Sequence, residues 1–291
     1  MMETRPTLGI VGAGKVGSAL ARLWYRAGYA VAAVYSPTPD RARALAEHVN
    51  AAHVESPVEV MAIADLTVLA VPDDRIELVA KGLKHSGAAG KGVVHTSGVQ
   101  DKSALSALAE RGAMTGSLHP VFPFADVETA MAKLPGAAFA VEAEVEPLRQ
   151  WLIGLVHALD GRVLAIPTGQ KALYHAALAI ASNYTVTLYA LAEQLLLQLG
   201  AERDSAGQAL NTLVAATVDN LRAQGVPNAL TGPLVRADLG TIAAHLEALE
   251  QTDRHLKDLY IALARFSFPM LQARGVAPEP IERILRGQEE K

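Results

Sequence analysis

With 291 residues, 51% of them apolar and 19% charged, the chain can bury one large core or two modest ones, and disorder is excluded. A formal net charge of -4 argues against attraction to nucleic acid or an anionic membrane surface. Cysteine is absent, which excludes disulfides, thiolate metal ligands and cysteine nucleophiles.

A strand-like run, Leu8-Gly9-Ile10-Val11, stands close to the N-terminus with no basic region and apolar signal segment before it. We read no export signal there and expect a cytoplasmic protein. From this point short apolar runs alternate with helical patterns, the signature of βαβ units around a mostly parallel, doubly wound sheet. Strands are predicted at 7–11, 30–35, 66–71, 92–95, 113–118, 137–141 and 162–166. A helix over 18–27 closes on Gly28, where glycine tolerates a left-handed C′ position, and a second covers 147–159 before Gly161.

Gly12-Ala13-Gly14-Lys15-Val16-Gly17 lies between the first strand and the first helix. The first glycine permits a tight turn, the second lets backbone approach a pyrophosphate, and the third lets helix pack on strand. Freed N–H groups and the helix dipole then hold phosphate. Sites for NAD put an acid at the end of the second strand, to bind the ribose hydroxyls. Here Tyr35-Ser36-Pro37-Thr38-Pro39-Asp40-Arg41 offers the hydroxyls of Ser36 and Thr38 and the charge of Arg41, with Arg43 close behind. Those donors suit the 2′-phosphate of NADP, and Asp40 reads as a cap of the next helix. Val71-Pro72-Asp73-Asp74 ends the third strand at the same carboxyl edge, so Val71 and Pro72 are expected beside the cofactor, while Asp73 either joins them or caps the next helix.

Two polar turns follow at that edge, His95-Thr96-Ser97-Gly98 and Ser117-Leu118-His119-Pro120. Hydride transfer needs a partner for the accompanying proton, a task suited to His119, with Ser97 to hold the substrate oxygen. The alternative is a strand-end cap for His119 and a local turn for Ser97.

After Pro167 strand patterns end, and an all-helical domain (168–291) is expected to follow an NADP-binding domain (1–167). Helices are predicted from an N-cap at Thr168 to Gly200, then over 204–225, 238–249 and 252–275, the last kinked at Pro269, with a frayed tail after Ile284. Polar side chains interrupt the apolar run 172–199, so it reads as a buried helix rather than a membrane span. Lys171 and His175, spaced i and i+4, with Ser182 and Asn183 beyond, form a polar stripe that either lines a substrate cavity or is satisfied within a core. Arg236 could grip an anion or pair with Asp238. No spacing of histidines and carboxylates argues for a metal.

Together these motifs, with Tyr174-His175-Ala176-Ala177, Ser182-Asn183-Tyr184 and Leu230-Thr231-Gly232-Pro233, resemble the Rossmann-like oxidoreductases whose C-terminal half is a domain of unknown function. The layout is more distantly similar to the 6-phosphogluconate and 3-hydroxyacid dehydrogenase superfamily, prephenate dehydrogenases and deazaflavin-dependent NADP reductases. The resemblance implies a 6-phosphogluconate-dehydrogenase-like helical domain and NADP-dependent hydride transfer to or from a small hydroxy or keto substrate. His119, Ser97, Lys171, His175 and Asn183 would face that substrate in a cleft between the domains, although His175 stands where 3-hydroxyacid dehydrogenases have asparagine. It also implies a homodimer through the helical domain. A deazaflavin as second substrate and a non-catalytic NADP(H) sensor are the alternatives.

Overall fold

A computed structural model describes residues 5–167 and 169–289. The expected cap at Thr168 lies outside the described residues. By internal packing the chain divides into two compact units, 1–186 and 187–291.

The first unit is built on an eight-stranded sheet. Its strands are β1 (Leu8–Val11), β2 (Val31–Tyr35), β3 (Ala52–His53), β4 (Leu66–Leu69), β5 (Gly92–His95), β6 (Met114–Pro120), β7 (Ala138–Ala143) and β8 (Arg162–Ala165). The order is β3-β2-β1-β4-β5-β6-β7-β8, and every pairing is parallel except β6 with β7. All seven expected strands form. The added one, β3, is too short to leave a hydrophobic period.

Strand residues alternate between two cores, because successive side chains point to opposite faces. Leu8, Ile10, Leu66, Val68 and Val94 join one core with Trp24 and Leu152, while Val11, Leu69 and Val93 join the other with Met61, Ile76 and Leu83. Helices α1 (Lys15–Arg26), α2 (Pro39–His48), α6 (Val127–Lys133) and α7 (Leu148–His157) contribute to the first core. To the second come α3 (Pro57–Ile63), α4 (Asp73–Leu83) and α5 (Ser106–Ala109). Burial on both faces explains the continuous apolar runs of β1, β4 and β5. Gly28 sits at φ 86° just past α1, as its C′ role requires. Thr38 rather than Asp40 stands at the N-cap of α2; Asp40 lies inside the first turn and pairs with Arg43 at 3.1 Å. Asp73 likewise begins α4 after Pro72 and caps nothing.

The unbroken helix expected to Gly200 is two helices, α8 (Lys171–Ala181) and α9 (Asn183–Gln198), separated at Ser182. Small polar residues there compete for backbone hydrogen bonds and favour helix ends. Ser182 and Asn183 therefore do not continue the stripe of Lys171 and His175.

In the second unit, α10 (Arg203–Gln224) and α11 (Leu239–Thr252) are followed by α12 (Arg254–Phe266), α13 (Phe268–Ala273) and α14 (Glu279–Glu289). The kink expected at Pro269 is a full break at Ser267, with Pro269 in the first turn of α13. Asp238 caps α11 through the Thr241 N–H at 3.1 Å, and the Thr241 hydrogen bonds, with the charge of Arg236 behind them, hold its carboxyl below the usual range. Of the tail expected to fray after Ile284, residues 285–289 continue α14, and 290–291 lie outside the described residues. Ile281 and Leu285 are fully buried, and Glu282 accepts from Arg265 and Arg286. Among the described residues no helix is long and apolar enough to cross a membrane.

Candidate active site

The strand register aligns the ends of four neighbouring strands. Val11 pairs with Leu69, Leu69 with His95, and His95 with Ser117. The glycine turn after β1, Val71-Pro72 after β4, Ser97-Gly98 after β5 and His119 near the end of β6 thus share one carboxyl edge. The sheet order reverses between β1 and β4, the switch point where such sheets bind ligands.

At that point each glycine does a separate job. Gly12 has φ 110°, and a Cβ there would lie 2.3 Å from the Ala70 carbonyl oxygen and 3.3 Å from Val71 Cγ1. A Cβ on Gly17 would lie 2.0 Å from the Gly12 carbonyl oxygen. Around Gly14 nothing comes within 4 Å, so this glycine leaves open space rather than relieving a clash. Ala13 is buried behind the turn, and Gly14 stands at the N-cap of α1 with no side-chain cap. The first turn of α1 carries Lys15 and no acid. A cation at a helix N-terminus is unfavourable until an anion joins it. The turn, with Lys15, Val16 and Gly17 opening the helix, fits a pyrophosphate. After β2, Ser36 is buried and its Oγ accepts from the Thr38 N–H at 3.3 Å, while Thr38 and Arg41 are exposed. Among the described residues Arg43 is held by Asp40, and no ion pair engages Arg41.

The second cluster lies where β5, β6 and α8 meet. His95 is fully buried and pushed down to about 4, chiefly by burial. Its Nδ1 accepts from the Ser97 N–H at 3.2 Å, which leaves Nε2–H to donate to the Asp101 carbonyl at 3.0 Å. The Ser97 hydroxyl accepts from the Val99 and Gln100 N–H groups at 3.2 and 3.0 Å, so it shapes the turn and retains only its own proton to offer. Lys171, 3% exposed, donates to the Ser97 carbonyl and to Ser117 Oγ, both at 3.0 Å. Burial lowers its pKa, while Glu142, Asp101 and Asp73 oppose the shift. Ser117 in turn donates to Glu142 Oε2 at 3.3 Å.

His119 Nδ1 is 2.7 Å from the Tyr174 hydroxyl, and the two rings meet edge to face. The His119 and His175 ring centres are 6.5 Å apart. A Cβ on Gly98 would lie 2.8 Å from His119 Nε2 and 2.7 Å from His175 Cδ2, so both rings can pack against this turn only because residue 98 has no side chain. His119 is pushed down to about 4, first by burial and then by the charges of Lys171, His175 and His95. Burial pushes Tyr174 up to about 12.

The structure therefore brings Ser97, His119, Lys171 and His175 together, whereas Asn183 is exposed and opens a separate helix. Tyr174, Ser117, Glu142 and His95 complete the cluster. Glu142 left no signal of its own in the sequence; Tyr174 could have been found from its position three residues after Lys171 on the same helix.

Residues 1–120 match the Rossmann-like domain, and residues 137–266 match the domain of unknown function DUF2520. His119 lies in the segment that matches the first model, and Lys171, Tyr174 and His175 lie in the segment that matches the second. No curated protein matches the chain. Among solved structures it is similar to a Bacteroides fragilis protein provisionally described as an NADP oxidoreductase. Identity there is 26%, over 90% of this chain and 97% of that one, with a TM-score of 0.70. A Thermotoga maritima protein is 24% identical over 92% and 99% of the two chains, with a TM-score of 0.73. An imine reductase from Pseudomonas sp., 18% identical over 94% and 96%, has a TM-score of 0.64. The last two likenesses concern the fold.

Proposed function

We propose that the chain is an NADP-dependent oxidoreductase acting on a small hydroxy or keto substrate. The observation that carries this reading is that His119 Nε2 and His175 both pack against Gly98, at the sheet edge that also bears the glycine turn. Gly12–Gly17 would hold the pyrophosphate, Val71 and Pro72 would flank the dinucleotide, and Ser36, Thr38 and Arg41 would take the 2′-phosphate. The description of the Bacteroides fragilis protein favours the same cofactor. When bound, NADPH supplies the hydride.

Within the chain, His119 Nε2–H donates a hydrogen bond to the substrate oxygen, and water supplies the proton that completes the alcohol. Because the ring is neutral near pH 7, it exchanges a hydrogen bond there instead of standing as a cation. Lys171 is held too firmly by Ser97 and Ser117 to travel; it fixes the Ser97-Gly98 turn and adds positive potential where an oxyanion develops. His175 and the remaining Ser97 proton lie beside it.

We assign the boundary between cofactor and substrate domains to Pro167. We also propose a cytoplasmic homodimer. No residue of α9 is buried, and Leu173, Ile180 and Val186 in the first unit, with Leu213 in the second, are each more than 60% exposed.

The test is His119→Ala, assayed with NADPH against a panel of 2-keto acids, 3-keto acids and their hydroxy forms. NADPH binding is expected to persist while turnover falls about 100-fold, the range for a lost hydrogen-bond donor to a developing oxyanion. Undiminished turnover would remove His119 from the chemistry. Tight NADPH binding with no turnover across the panel would favour the sensor.

A further inference from the structure

We infer that Tyr174 is a positioning residue: its hydroxyl donates to His119 Nδ1, and so commits the ring proton to Nε2, the atom that faces the substrate. The inference rests on the reading of His119 given above and extends it to the kind of atom the site receives.

A neutral imidazole carries one proton, and the nitrogen that accepts a hydrogen bond cannot hold it. Tyr174 is 9% exposed, and its hydroxyl lies 2.7 Å from Nδ1. Burial favours the protonated phenol. The edge-to-face contact, with ring centres 5.7 Å apart, limits rotation of the imidazole. The helix bearing Tyr174 is itself anchored one turn earlier, where Lys171 grips the Ser97 carbonyl and Ser117 Oγ. Tyr174 therefore meets His119 in a fixed register. The opposite nitrogen, Nε2, packs against Gly98, 2.8 Å from where a Cβ would stand, and is the atom assigned above to the substrate oxygen.

A donor in that position selects its ligand. Nε2–H welcomes a lone pair, such as a carbonyl oxygen, and stabilises the negative charge that grows on it during reduction. It opposes a protonated imine, whose N–H would need an acceptor. The buried ammonium of Lys171 acts in the same sense, partly offset by Glu142. The substrate class is a carbonyl compound, and the geometry serves its reduction.

Tyr174→Phe tests this, because phenylalanine keeps the ring contact and deletes only the hydroxyl. The direct readout is nitrogen-15 NMR of the histidine side chains in the full chain, without substrate, with His119→Gln to assign the signals. In the wild type His119 is expected to show a protonated Nε2 and an acceptor Nδ1; in Tyr174→Phe the two tautomers should mix. With the best carbonyl substrate kcat should fall about 10-fold or more, while NADPH affinity and melting temperature hold. A wild-type His119 protonated at Nδ1, or a tautomer unmoved by the substitution, overturns the inference even if the protein reduces carbonyls. Turnover of imines but not carbonyls overturns the substrate class. If NADPH does not bind at all, the oxidoreductase reading fails while the tautomer measurement still judges Tyr174.

Discussion

Alanine substitutions at Gly14 and Gly17, two glycines of the same turn, should fail in opposite ways. A methyl on Gly17 would stand 2.0 Å from the Gly12 carbonyl oxygen and 3.0 Å from Ala70 Cβ. The obstruction is mainly backbone, so α1 must move off β1. Overpacking of this kind costs about 1–3 kcal/mol, and the better helix propensity of alanine returns up to about 1 kcal/mol. Gly17→Ala should therefore lower the melting temperature of the cofactor-free protein by several degrees, at about 2–4 °C per kcal/mol for a domain of this size. Gly14 has φ -82°, open to any residue, and free space beyond it. A weaker N-cap and a less flexible unfolded chain nearly cancel, so Gly14→Ala should leave apo stability within about 1 kcal/mol. Its methyl would occupy the space assigned to pyrophosphate. A loss of about 1–3 kcal/mol in binding corresponds to roughly 5- to 150-fold in NADPH affinity. Thermal melts without cofactor and calorimetric NADPH titrations separate the two effects. Wild-type NADPH affinity in Gly14→Ala would refute the placement of the phosphates.

Arg41→Ala should weaken NADPH by about 10-fold or more and leave NADH unchanged, as for loss of a charged hydrogen bond; equal losses would refute selection of the 2′-phosphate. His95 and His119 titrate near 4 when folded, below the ordinary histidine value of 6.5, so the unfolded chain takes up protons first as the solution is acidified. Stability should be complete above about pH 6.5 and fall towards pH 4, by roughly 3 kcal/mol at most for the fully buried His95; denaturant melts that are flat across this window would contradict the cost of charging these buried rings. Light scattering should find a dimer at micromolar concentration, and Leu213→Asp should weaken it without unfolding the chain; a monomeric wild type would refute the assembly.

Much of the first unit is legible in the amino-acid sequence because its signals are local. Buried parallel strands read as apolar runs, and the Gly12–Gly17 turn carries its own steric logic within six residues. His119 and Ser97 could be nominated because each follows a recognisable strand. What their neighbours do is a different matter. Glu142 reaches Ser117 because β7 pairs antiparallel with β6, and that register is a property of two strands together. Lys171 meets Ser97 across 74 residues of chain, and Tyr174 meets His119 across 55. No periodicity records such distances. Helix α14 has the same origin: Leu285 is helical because it is buried beside Ile281 and Ile261, although the residues around it are charged. Local patterning determined the scaffold and the cofactor turn. Tertiary packing decided which polar side chains share one space, because only there do their hydrogen bonds compete with those to water.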